Sequence, residues 1–158
     1  MTSTDETPAG FEPIHDVGFI DHVGPVYRRA DGAYGFRAAQ KHANLIQVVH
    51  GGMLMSFADR ALGEIAMAAA DGANCVTIQM EMQFIDVARL GDWIEARPEV
   101  VRRTGSMVFL RTDLWATALS AEAGTGSAKE SERRVAAATG VWKILRRRPD
   151  AAGASRAS

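Results

Sequence analysis

The segment Asn44-Leu-Ile-Gln-Val-Val-His50-Gly51-Gly52-Met-Leu-Met-Ser-Phe-Ala-Asp59 holds the residues of this sequence best suited to chemistry. Two glycines directly before an apolar stretch let the backbone approach a ligand closely. At a helix start they also leave free amides at the positive end of the macrodipole. Such amides can polarise a carbonyl whose oxygen becomes an oxyanion, and losing one donor of this kind costs about 2.7–4 kcal/mol. Asp59 follows about two helical turns later, roughly 11 Å along the axis at 1.5 Å per residue. No Lys or Arg stands three or four positions from it. A carboxylate at the border of an apolar face is costly without a partner, and it suits a base or a nucleophile. The plainer reading is a solvated Asp at a helix edge, or one paired across an interface.

The spacing predicts the elements that must position these groups. Gly52 to about Ala70 reads as one helix of 19 residues, with Leu54, Phe57, Ala58, Ala61, Leu62, Ile65, Ala68 and Ala69 on one wide face. Asp59 borders that stripe beside Met55, Leu62 and Ala66, while Arg60 and Glu64 lie on the flank, spaced i,i+4. Asp71-Gly72 is the expected stop. The period then changes to two. Val76, Ile78, Met80, Met82 and Phe84 alternate with Thr77, Gln79, Glu81 and Gln83, the pattern of a half-buried strand. Three further strand-like runs follow, Asp92–Arg103, Ser106–Ala118 and Arg134–Leu145, and Pro98 argues for an edge or a bulge in the first. Val26–Ala30 and Tyr34–Ala38 flank Asp31-Gly32, a hairpin signal. Strands joined by short turns imply an antiparallel sheet, and one long apolar helix is available to cover it. The expected class is α+β, one sheet around one helix, with self-association to cover what remains exposed.

Asn44, His50-Gly51-Gly52 and Phe57-Ala58-Asp59 together resemble the hotdog-fold acyl-CoA thioesterases, most of all the PaaI-like (phenylacetic acid degradation-type) branch. The likeness in element order runs from about Phe19 to Leu145. It implies a hotdog fold, hydrolysis of an acyl- or aryl-CoA to the free acid and CoA, and no metal or redox cofactor. By the same resemblance Asp59 activates water or attacks the thioester, and the Gly51 amide polarises the carbonyl. Asn44 helps to place water or the leaving group, and Thr77 orients the water. His50 either bonds near the carbonyl or fixes the glycine turn. The family forms dimers and often tetramers. Thr77 sits on the polar side of its strand, so it is expected to face away from its own helix. A Thr77 that touches the reaction then implies a site between subunits, with Asp59 and the Thr77 strand from different chains.

Coenzyme A carries phosphates. Arg102-Arg103-Thr104-Gly105-Ser106 supplies guanidinium groups, hydroxyls and a turn, so Arg103, Thr104, Gly105 and Ser106 are the expected contacts. Surface arginines on a solvated turn are the plainer reading, and Arg146-Arg147-Arg148 is a second cationic stretch.

Composition narrows the function classes. The 158 residues fit one domain, expected over 13–145 between a leader (1–12) and a tail (146–158), with a solvated loop at Ala121–Glu132. Eighteen Lys+Arg against 19 Asp+Glu leave no field that would recruit nucleic acid or anionic lipid. An acidic, polar N-terminus gives no signal peptide, and no apolar run is long enough for a span, which points to the cytoplasm. The single cysteine, Cys75, excludes an internal disulfide and reads as core. His15, His22 and His42 lack metal-ligand spacing, Ser56 lacks a nucleophile-elbow setting, and the methionines read as core or as an adaptable acyl pocket. The rival functions are a non-catalytic acyl-CoA-binding module and a hydratase or dehydratase on the same scaffold.

Overall fold

The structure, a computed structural model, describes residues 7–118 and 132–145. The start of the expected leader, nearly all of the loop Ala121–Glu132 and the tail from Arg146 lie outside the described residues. In chain order the elements are β1 (Phe11–Ile14), α1 (Phe19–Val23), β2 (Val26–Arg29), β3 (Tyr34–Arg37), α2 (Gly51–Ala69), β4 (Cys75–Phe84), β5 (Trp93–Ala96), β6 (Glu99–Arg103), β7 (Met107–Thr117) and β8 (Arg133–Ile144). The strands form one antiparallel sheet in the order β1-β2-β3-β5-β7-β8-β4, with β6 paired to β7. This is the expected α+β architecture, a sheet wrapped around one long helix. No helix of the described residues is long and apolar enough to cross a membrane.

The core forms where helical and strand periods meet. Phe57, Ala58, Ala61, Leu62 and Ala66 are wholly buried on one face of α2, against Phe36, Ile94, Val108, Leu114 and Val135 of the sheet. Phe36 and Phe57 pack edge to face with centroids 4.8 Å apart. Truncating a buried aromatic of this kind typically costs about 3–5 kcal/mol. The alanines leave room for the helix to sit close to the strands, and Ala68, expected on this face, is exposed instead. Past the end of α2, Asp71 (φ 55) and Gly72 (φ 79) take left-handed conformations, and the Gly72 amide caps the Met67 carbonyl at 2.9 Å.

Three sequence expectations need correction. Residues 11 and 12, expected in the leader, belong to the folded unit, because Phe11 is buried and begins β1, which pairs with β2. The run Asp92–Arg103 is two strands, β5 and β6, separated at Arg97-Pro98, where the proline cannot donate to the ladder. The third matters most. The period-two pattern of β4 is broken by a bulge: Thr77 pairs with Trp142 and Gln79 with Val141, leaving Ile78 as an extra residue. Ile78 and Gln79 share one outward step. Thr77 therefore lies on the helix face with Cys75, while Val76 and Ile78 are exposed on the other. Beyond the bulge Met80 and Met82 face the core as expected.

Candidate active site

His50 is the N-cap of α2, and its Nδ1 accepts the Gly52 N–H at 2.8 Å. Of the two roles open to it, the structure supplies the one that fixes the glycine turn. That bond takes the Gly52 amide, whereas no hydrogen bond among the described residues takes the Gly51 amide. The Phe84 ring lies against Gly51, where a Cβ would come within 3.2 Å of two ring carbons, so glycine is what lets the aromatic approach. Sequence reading placed Phe84 on the inner face of β4 but did not bring it to this turn, since their contact links positions more than 30 residues apart.

Asn44 shapes the loop that delivers the chain to this helix start. Its Oδ1 accepts from the Ile46 and Val48 amides at 3.0 and 3.2 Å, and its own amide donates to the Val48 carbonyl at 2.8 Å. The side-chain NH2 is what it retains for a ligand. Asn44 thus organises the loop ahead of the glycine turn, and no hydrogen bond among the described residues joins it to Asp59.

Asp59 and Thr77 are brought together within one chain. The Thr77 hydroxyl donates to Asp59 Oδ1 at 2.6 Å. The premise that Thr77 could not reach its own helix is therefore overturned, and the bulge at Ile78 is the reason. Arg60, next in the chain, does not pair with Asp59. Its guanidinium grips Asp16 through Nε and Nη2 at 2.5 and 2.9 Å and reaches Glu64 through Nη1 at 2.6 Å. A cleft of about 350 Å³ opens beside Asp59, walled by Phe19, Ile20, Met55 and Met80.

The bulge depends on Gly140 of β8. A Cβ there would stand 2.7 Å from the Gln79 carbonyl oxygen and 2.7 and 2.9 Å from two carbons of the Trp142 ring. Trp142 is fully buried and packs at 3.6 Å from where a Cβ on Gly63 would be, so it has little room to retreat. Gly140→Ala should push the Gln79 carbonyl away and turn Thr77 from Asp59, with an overpacking cost of about 1–3 kcal/mol. Thermal unfolding should register the destabilisation. Turnover should fall too, and in a Thr77→Val background Gly140→Ala should bring no further loss of turnover. An equal further loss there would mean that the glycine does not act through Thr77.

The expected phosphate contacts lie elsewhere. Arg103 pairs with Asp71 at 2.9 Å, beyond the C-terminal end of α2 and about 18 Å along the helix from Asp59 at 1.5 Å per residue. The Thr104 hydroxyl is taken up by its own turn, with the Ser106 and Met107 amides at 3.3 and 3.0 Å and the Met107 carbonyl at 3.2 Å. One chain does not bring Arg103, Thr104, Gly105 and Ser106 to the carboxylate.

Comparison with known proteins agrees with this architecture. Residues 46–119 match the family model described as the thioesterase superfamily. A Pseudomonas aeruginosa protein carrying the name "Putative esterase PA0474" is 32% identical over 143 residues, 87% of this chain and 96% of the relative. The chain belongs to the thioesterase superfamily. Among solved structures, the hexameric broad-specificity acyl-coenzyme A thioesterase HI0827 superposes with a TM-score of 0.61 at 20% identity, over 72% of this chain and 73% of that one. Cj0915, a hexameric hotdog fold thioesterase of Campylobacter jejuni, gives 0.60 at 22%, over 72% and 81%. The E. coli PaaI protein gives 0.55 at 17%, over 76% and 72%. The fold is the hotdog fold.

Proposed function

We propose that this protein hydrolyses an acyl- or aryl-CoA thioester to the free acid and CoA, with a site of the PaaI-like type completed by a second copy of the chain. The observation that carries this reading is the Asp59 carboxylate, held at Oδ1 by Thr77 and without a cationic partner among the described residues, beside an apolar cleft. The Asp59 carboxylate takes a proton from water, whose oxygen bonds to the thioester carbon. The carbonyl oxygen gains negative charge against the Gly51 amide, and the C–S bond then breaks as the sulfur takes up the proton.

Gly51 and Asp59 stand eight residues apart on one helix, about 12 Å along its axis at 1.5 Å per residue. A carbonyl oxygen about 3 Å from the amide cannot then have its carbon in reach of that carboxylate. The two groups act on one thioester only if the amide comes from one chain and the carboxylate from another. The division differs from that read off the sequence, since Thr77 travels with its own Asp59. Relatives of known structure include hexamers, and β4 offers a long edge with exposed Val76, Ile78 and Phe84 for a partner to cover. At the far turn, the partner of Arg103 among the described residues is the exposed Asp71, which a CoA phosphate could displace.

A thiol-release assay across acetyl-, hexanoyl-, benzoyl- and succinyl-CoA tests the reading. Turnover of at least one thioester, with stoichiometric free CoA, is the expected result. Binding of CoA thioesters without release of thiol would instead favour a non-catalytic module.

A further inference from the structure

The segment between β1 and β2 leaves the sheet and lies against α2, and it is tied down at both ends. At its start Asp16 is gripped by Arg60 through the paired contacts described above. At its end the Val23 carbonyl accepts from Nε2 of buried His42 at 2.7 Å, and the Lys41 ammonium bonds the His22 and Gly24 carbonyls. Between these anchors α1 holds Ile20 against the core and leaves Phe19 61% exposed at the mouth of the Asp59 cleft.

Apart from Asp59, the polar side chains of this cleft are already engaged. All three nitrogens of the Arg60 guanidinium face Asp16 or Glu64, and the Ser56 hydroxyl donates back to the Gly52 carbonyl at 2.7 Å. A ligand seated here meets hydrocarbon, two adaptable thioethers from Met55 and Met80, and one carboxylate. From this chain, a phosphate or a second carboxylate on the ligand would face the charge of Asp59, while the Arg60 charge is already shared between Asp16 and Glu64.

Resting on the thioesterase reading above, we infer that this cleft is the acyl subsite, that it selects uncharged apolar acyl groups, and that Phe19 is the side chain that grips them. The anchored segment is then a fixed wall, and Asp16 and Arg60 are positioning residues for it. Dicarboxylic acyl groups are rejected by the same carboxylate that performs the hydrolysis.

The test is steady-state thiol release by the full chain with acetyl-, hexanoyl- and succinyl-CoA, in wild type, Phe19→Ala and Phe19→Leu. Wild type should favour hexanoyl- over succinyl-CoA by about tenfold or more in kcat/KM, the scale on which apolar contacts discriminate substrates. Phe19→Ala should lower kcat/KM for hexanoyl-CoA by about tenfold, chiefly through KM, and lower it much less for acetyl-CoA. Phe19→Leu should restore most of the loss. A preference for succinyl-CoA, or a Phe19→Ala effect that is absent or equal on acetyl and hexanoyl substrates, would overturn the subsite while leaving the thioesterase reading intact. Wild type that releases no thiol from any of the three, nor from benzoyl-CoA, would overturn both.

Discussion

Asp59→Asn should lower kcat for thioester hydrolysis by about 10²–10⁴, the range that a positioned base contributes. The variant should fold as wild type does. The amide is nearly isosteric, and its oxygen can still accept from the Thr77 hydroxyl, which now approaches Oδ1 at 2.6 Å. What it loses is the capacity to take a proton or to attack a carbonyl carbon. Thermal unfolding should therefore stay close to wild type while thiol release collapses. Retention of turnover within tenfold would end the assignment of Asp59. Thr77→Val separates orientation from chemistry, because it removes one hydrogen bond to a charged group at an exposed position, for a loss of about tenfold in kcat. A loss as large as that of Asp59→Asn would make Thr77 a participant in the chemistry itself. Single turnover in oxygen-18 water then tests for direct attack, since label appearing in Asp59 marks an anhydride opened at the Asp59 carboxyl carbon, and label in the released acid alone marks attack of water on the acyl carbon.

The legibility of this site in the sequence followed the range over which each feature is determined. α2 was readable because Phe57, Ala58, Ala61 and Leu62 repeat at the helical period and all four are wholly buried. The glycine turn and Asp59 were readable as chemistry from local composition. Their spacing could have shown that one helix cannot present both to one carbonyl. The orientation of Thr77 was not readable. The alternation of β4 is unbroken in the sequence, and the bulge that reverses its first residues depends on Gly140, a partner some 60 positions away. Val76 and Ile78 misled for a related reason: on an edge strand an apolar residue can face outward and await another chain. β1 and α1, of four and five residues, are too short to carry a period, yet α1 supplies the outer wall of the cleft. Arg103 was chosen for its charge, and only the fold shows Asp71 beside it.

Gly51→Pro should cost about 10²–10³ in kcat, the loss that follows removal of one oxyanion donor. Proline at the first position of a helix lacks only an N–H that the helix does not use, and its fixed φ suits that position. His50 ahead of it already holds φ −63 and ψ 133, the extended conformation that a following proline demands. The added Cβ meets two carbons of Phe84 at 3.2 Å, so Gly51→Ala is the control. It brings the same contact while keeping the amide, and it should retain most activity. The decisive measurement combines this variant with Asp59→Asn. If amide and carboxylate belong to different chains, each variant alone is nearly dead. Co-expressing the two then creates mixed assemblies in which one site carries both defects and its mate carries neither. Partial activity should reappear in the doubly tagged, co-purified species and be absent from a physical mixture that does not exchange subunits. If each site were built within one chain, every site in the mixed assembly would keep one defect, and no activity would return.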